Sequence, residues 1–223
     1  MPPALSSLPR LLGTGLLLWF ALMACAGASP TPRVLVEDLA ARVFTDIEAE
    51  RDHMEQEPER LHDLVKRILL PHVDFEQMAR WVLDRAWEDA DSAQRVAFVH
   101  QFRRLLVRTY ATVLLQTGMD RIEFLTPVEI RPGRVLVRSN VTFDGGLRVP
   151  VHYAFHRSEE RWLAYDLSMD GVSLVANYRR TFRAFLVREG LDALTAQLAD
   201  HNGASGSSAG PVQRLASPLP VLR

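Results

Sequence analysis

Val135-Leu136-Val137-Arg138-Ser139-Asn140-Val141-Thr142-Phe143-Asp144-Gly145-Gly146-Leu147-Arg148-Val149-Pro150-Val151-His152-Tyr153-Ala154-Phe155 repeats with a period of two. Val135, Val137, Val141 and Phe143 share one parity; Leu147, Val149, Val151, Tyr153 and Phe155 resume it after Asp144-Gly145-Gly146. Successive strand side chains point to opposite faces, so each half is a strand with one apolar face. The short glycine turn between them requires antiparallel neighbours. Upstream, Ile122, Phe124 and Val128 alternate before Pro132-Gly133; downstream, Arg161 to Met169 is more evenly apolar, as in a strand buried on both faces. The expectation is a four-stranded antiparallel sheet.

On both sides of this region the period changes to that of a helix. Val36, Leu39, Ala40, Val43, Phe44 and Ile47 recur every three or four residues between Pro32 and about Gln56. Pro58 suits the first turn of a second helix with Leu61, Leu64, Val65, Ile68 and Leu69, and Pro71 stops it. Asp74 is the expected cap of a third through Phe75, Met78, Ala79, Val82, Leu83 and Ala86. Asp91 or Ser92 opens a fourth with the stripe Val99, Phe102, Leu106, Tyr110 and Val113. After the strands, Leu174, Val175, Tyr178, Phe182, Phe185 and Leu186 restore helical spacing, with a break at Gly190 before Leu191 to Leu198. The fold class is α+β: a four-stranded antiparallel sheet packed by N-terminal and C-terminal helices.

The remaining ends read differently. Arg10, the apolar run Leu11 to Ala24 and the small residues Ala26-Gly27-Ala28 have the layout of a secretory signal. The run is shorter than the roughly 20 apolar residues of a spanning helix. Residues 1–28 are therefore expected to direct export and leave, residues 29–201 to form one domain, and the Gly/Ser/Pro-rich residues 202–223 to be a disordered tail. Leu22-Met23-Ala24-Cys25 is also similar to a bacterial lipoprotein signal, although Met23 is unusual there, so Cys25 has two possible fates: removal with the signal, or lipid attachment. Export follows from either.

Among 223 residues, 26 basic and 27 acidic side chains give a net charge of −1, which argues against a nucleic-acid partner. Lys66 is the only lysine. No phosphate cradle or dinucleotide fingerprint occurs, and no Gly-x-Ser-x-Gly elbow. His152 and His156 fall four apart on a strand, about 13 Å at roughly 3.3 Å per residue, too far to share an ion. Ser173 reads as a helix start. Tyr165 and Asp166, adjacent on a strand, are expected on opposite faces and so do not converge on one substrate. Arg103, Arg104 and Arg108, like Arg179, Arg180 and Arg183, are expected on solvated or ion-paired helix faces. No catalytic residue, metal site or cofactor is assigned.

Several blocks together resemble one family. Leu69-Leu70-Pro71-His72-Val73-Asp74-Phe75, Gln94-Arg95-Val96-Ala97-Phe98, Phe102-Arg103-Arg104-Leu105-Leu106 with Thr109-Tyr110-Ala111, Trp162-Leu163-Ala164-Tyr165-Asp166, Asp170-Gly171-Val172-Ser173-Leu174 and Tyr178-Arg179 occur in the order found in the MlaC family, also called the toluene-tolerance family. The resemblance covers roughly residues 34–199. One departure is Asp84, where the family commonly has glycine after Val-Leu. The resemblance implies a periplasmic phospholipid carrier between the outer and inner membranes, with an apolar cavity for lipid tails between sheet and helices. It implies as partners an inner-membrane ABC transporter with an MCE-domain subunit and an outer-membrane lipoprotein complex, with phospholipid as cargo. Expected tail contacts are Val137, Val141, Val149, Val151 and Tyr153 on the sheet, and Phe75, Met78, Val82, Phe102, Leu106, Tyr110 and Leu174 on the helices. The alternatives are a small periplasmic enzyme on a cone-shaped scaffold and a lipidated adaptor held through Cys25.

Overall fold

The computed structural model describes residues 30–116, 119–143 and 145–203. The expected export signal, Cys25 and all but the first two residues of the expected tail lie outside them. Helix α1, Pro32–Gln56, begins where Thr31 accepts a hydrogen bond from Val34 N and Pro32 supplies a first-turn φ. It kinks at Glu50 (φ −123°, ψ 16°). Helix α2, Pro58–Ile68, is followed by a 3₁₀ turn, Leu70–His72, containing Pro71. Helix α3 spans Phe75–Leu83, α4 spans Arg85–Asp89 and α5 spans Ser92–Gln116. Asp91 and Gln94 cap α5 reciprocally: Gln94 N donates to Asp91 Oδ1 at 2.8 Å, and Asp91 N to Gln94 Oε1 at 3.1 Å.

The third helix ends three residues before the expected Ala86. Asp84 takes φ 55° and ψ −118°, a backbone conformation that interrupts the α3 ladder before α4 restarts.

The strands are β1 Met119–Phe124, β2 Val128–Arg131, β3 Arg134–Phe143, β4 Arg148–Ser158, β5 Arg161–Met169 and a two-residue β6, Val172–Ser173. All named pairings are antiparallel, in the order β1-β3-β4-β5-β6. β1 and β2 both pair with β3, β1 with its C-terminal half and β2 with its N-terminal half, so they are two halves of one edge. The expected first strand is thus split. Pro127 has no N–H to give the ladder, and Arg138 covers the gap by donating from Nε and Nη2 to the Thr126 carbonyl at 3.3 and 3.0 Å. The other three expected strands are present, and β6 is an addition.

Helix α6, Leu174–Gly203, follows directly and breaks at Gly190 (φ 82°, ψ 178°), where the sequence places the interruption. It runs two residues past the expected domain end at His201. Asn202 is buried, and its side-chain amide donates to the Gln101 carbonyl and Oε1, both at 3.0 Å. Arg104 and Arg108 donate to the carbonyls at the end of α6, at 3.0 to 3.4 Å. Two arginines of the α5 cluster therefore serve a helix C-terminus, which favours positive charge.

Helices α3, α5 and α6 share a core around Phe98, Phe102, Tyr178 and Phe182. Their rings meet edge-on, stacked or tilted, with centroids 5.4 to 6.3 Å apart. Helices α1 and α2 form a second cluster, including Val43, Ile47, Met54, Leu61, Leu64 and Val65.

Candidate functional site

The apolar face of the sheet is built in rows by the strand register. Ile122, Val141 and Val149 lie opposite one another across β1, β3 and β4. Phe124, Ser139, Val151 and Met169 form the next row, across β1, β3, β4 and β5; Val137, Tyr153 and Leu167 form a third. Neighbouring strands are separated by about 4.8 Å, so cross-strand side chains touch and the rows make a continuous surface.

Two buried clusters divide this face. At one end Leu35, Val36 and Leu39 of α1 pack on Val137 and Phe155, with Ile68, Leu69, Phe124, Val135, Tyr153, Trp162 and Ala164 at the margin. At the other end Val141, Phe143, Val149 and Val151 form a buried cluster with Ile122, Tyr153, Leu167 and Met169. Among the described residues, every member of this second cluster comes from a strand. Leu167 also touches the helical core, so the cluster abuts that layer.

The polar atoms within this face are hydroxyls. Ser139 Oγ donates to the Val151 carbonyl at 3.0 Å and is fully buried. Burial pushes the Tyr153 phenol above its ordinary range, and a hydrogen bond with Ser139 partly opposes that shift. Both groups are neutral at physiological pH and need no counter-charge in an apolar setting.

The structure separates the expected tail-contacting residues into two sets. Val141, Val149, Val151 and Tyr153 come together on the strand-only cluster, while Val137 lies under α1 and meets it through Tyr153. Met78, Val82, Phe102, Leu106 and Leu174 are members of the aromatic helical core, with Phe75 and Tyr110 packed against it. Burial drives the Tyr178 phenol far above its usual range, with Tyr110 beside it acting in the same direction. Phe143, Ile122, Leu167 and Met169 belong to the sheet site and were not singled out from the sequence. Phe143 has the same parity as Val141 and was legible; Leu167 and Met169 were hidden by a bulge.

That bulge falls at Tyr165, where the register shifts: Ala154 pairs with Asp166, but Phe155 pairs with Ala164. It overturns the expectation that Tyr165 and Asp166 face opposite ways. Tyr165 meets His156 (centroids 5.6 Å), Trp81 (4.9 Å) and the Arg134 guanidinium (5.0 Å), on the polar face of the sheet. Asp166 pairs with Ala154 on the same face, but its oxygens are committed elsewhere. It accepts from Ser173 Oγ at 2.6 Å, Leu167 N at 2.9 Å and Val175 N at 3.1 Å, so it braces the start of α6. Burial raises its pKa above the ordinary carboxylate value, although these hydrogen bonds pull the other way.

The helical layer is fastened to the sheet at the edge of β5. Val73 pairs in parallel with Ala164, and Asp74 N donates to the Ala164 carbonyl at 2.8 Å. Asp74 Oδ1 caps α3 by accepting from Gln77 N at 2.8 Å, and Oδ2 meets His156 Nε2 at 2.8 Å. The Pro-His-Val-Asp-Phe block thus joins layers. Among the described residues no group of His, Cys, Asp and Glu is placed to hold a metal ion, and no helix is long and apolar enough to cross a membrane.

A family described as MlaC protein matches this chain over residues 37–200. The intermembrane phospholipid transport system binding protein MlaC of Haemophilus influenzae is 26% identical over 175 residues, covering 77% of this chain and 82% of that protein. Toluene tolerance protein ttg2D of Pseudomonas putida is 25% identical over 167 residues, covering 74% of this chain and 77% of that protein. A solved structure of a phospholipid-binding protein from Ralstonia solanacearum, in complex with a phospholipid, matches with a TM-score of 0.70 at 24% identity. It covers 76% of this chain and 96% of the solved one, so the two share a fold. With the family match extending from α1 nearly to the end of α6, the chain belongs to the MlaC family.

Proposed function

We propose that this protein is a periplasmic phospholipid carrier that holds acyl tails against the apolar sheet face and leaves the head group near water. The observation that carries the reading is the continuous apolar sheet face of Val141, Phe143, Val149 and Val151 with Tyr153, Leu167 and Met169 in a chain of this family. These residues are buried in the structure, Val141 to 2% and Val149 and Val151 to 3% exposure, so tails reach them where the layer over them moves aside. Family membership and the phospholipid held by the Ralstonia relative supply the occupant.

The energetics set what the site must be. Removing a diacyl lipid from a bilayer exposes on the order of 30 methylenes, roughly 25 kcal/mol at about 0.8 kcal/mol each. The acceptor must be nearly as dry as the membrane, which valines, phenylalanine, leucine and two neutral hydroxyls provide. It must also release, so binding should nearly cancel extraction. Phe75, Met78, Val82, Phe102, Leu106, Tyr110 and Leu174 then form the rigid helical wall against which the sheet site is closed, and Val137 marks its α1 end. We take the partners to be a lipoprotein complex at the outer membrane and an ABC transporter with an MCE-domain subunit at the inner membrane. The latter would supply the energy for directional transfer.

An enzyme reading finds less support. Asp166, the carboxyl with a raised pKa, braces α6 through three hydrogen bonds and is not directed at the apolar face. The test is to purify the protein from a bacterial periplasm, extract it with organic solvent and weigh the extract by mass spectrometry. Stoichiometric phospholipid is expected; a lipid-free extract from well-folded protein would overturn the proposal.

A further inference from the structure

We infer that the outward stripe of α6 around Val187 is a docking surface for an anionic phospholipid bilayer. Arg180, Arg183, Ala184, Val187 and Arg188 occupy i, i+3, i+4, i+7 and i+8 and so lie along one side of the helix. Together they line an open depression of about 570 Å³. Val187 is 83% exposed, more than any other large hydrophobic residue described in the chain, and guanidinium groups surround it. The other side of the same helix buries Tyr178 and Phe182 in the aromatic core, so this stripe stays outward while the fold is intact.

The charges are arranged unequally. Arg188 pairs with Glu189 at 3.0 Å, and Arg179 reaches Asp84 only at 4.0 Å. Arg180 donates to Asn177 Oδ1 at 3.0 Å, a neutral acceptor. Among the described residues neither Arg180 nor Arg183 has an acidic partner within ion-pair distance. A chain of net charge −1 therefore presents local positive charge with an apolar residue at its centre. That is the composition of an interfacial helix face: arginines meet lipid phosphate, and the valine enters the acyl boundary. The face is a convex helix surface with a shallow depression, without a groove for a defined partner segment. It fits a deformable surface of dispersed phosphates, on which forked guanidinium groups need no fixed register.

This inference extends the carrier reading, because a carrier held at a bilayer surface is held near partners embedded in it, but the two fail separately. The test is flotation of the full chain with vesicles of equal parts phosphatidylglycerol and phosphatidylcholine, compared with phosphatidylcholine alone. Binding to the anionic vesicles only, weakened at about 0.5 M salt where the Debye length is a few ångströms, is expected. Arg180→Glu/Arg183→Glu should reduce it by about 30-fold or more, given the per-residue attraction of basic groups to anionic lipid. Val187→Ser should reduce it less, and Arg131→Glu on the exposed β2 should leave it within about two-fold, as expected of one distant screened charge. Melting curves confirm that each variant is folded. No preference for anionic vesicles, full binding by the double variant, or equal loss in Arg131→Glu would overturn the inference. A lipid-free but vesicle-binding protein would overturn the carrier reading alone.

Discussion

At the scale of single residues, Asp84 is the clearest case of a side chain at odds with its backbone. Its φ of 55° with ψ of −118° is a conformation that a Cβ disfavours and glycine adopts freely. The exposed contact with Arg179 at 4.0 Å offers little in return. Asp84→Gly should therefore stabilise the protein by about 1 kcal/mol or more, despite the flexibility that glycine adds to the unfolded chain. Chemical denaturation at constant m-value checks this; an unchanged or lower midpoint would contradict it. Asp166 makes the complementary point about burial. Its folded-state pKa lies above the ordinary value, so relative to the unfolded chain it binds its proton more tightly. Its ionisation therefore works against folding: stability from this group is full below the unfolded pKa and is lost as pH rises through the folded pKa. Asp166→Asn keeps an acceptor for Leu167 N and Val175 N without the titration. The wild type should gain stability relative to Asp166→Asn as pH is lowered from about 7 to about 4. Parallel melting curves that keep a constant separation would reject the buried-charge explanation.

At the scale of elements, what was legible depended on whether a local rule acted alone. The helix α5 start at Asp91, the turn of Pro132-Gly133, and the break at Gly190 follow from one or two residues whose backbone preferences leave few options. Gly190 shows how strong that constraint is. A Cβ added there would meet no atom within 4 Å, yet φ 82° with ψ 178° is a region used almost only by glycine. Gly190→Ala should cost about 1 to 3 kcal/mol although it clashes with nothing. Retention of wild-type stability would show that the two parts of α6 can re-join without strain. The split edge strand, the Tyr165 bulge and the extension of α6 to Asn202 were not legible, because each depends on a distant partner. Arg138 caps Thr126 across strands, Ala154 and Phe155 set the shifted register, and Gln101 anchors Asn202 from α5. The bulge matters most for the site, since it changes the parity of β5 and brings Leu167 and Met169 to the face of Val151 and Tyr153.

At the scale of the whole molecule, sequence periodicity identifies an apolar face but not what covers it, so core and binding surface look alike until the layers are assembled. Val137 and Val141 are four residues apart on one strand face; α1 packs over the first, and the described neighbours of the second are all strand residues. The same indistinguishability holds for Phe102 and Leu106, members of the aromatic helical core. Cargo binding at this face leads to a test of the whole fold. If lipid tails are held against Val141, Val149 and Val151, the folded state binds lipid and the unfolded state does not, and cargo contributes to stability by mass action. At lipid about 100-fold above its dissociation constant this amounts to about 2.7 kcal/mol, or a melting shift of about 5 to 10 °C for a domain of this size. Delipidated protein should melt lower by that amount and regain it on addition of phospholipid. Val149→Asp, which sets a carboxylate among the tails, should show little of the gain; Val149 is buried, so the variant's own lipid-free melting curve is the reference. A delipidated wild type that melts unchanged, with no response to added lipid, would overturn tail binding against this sheet face.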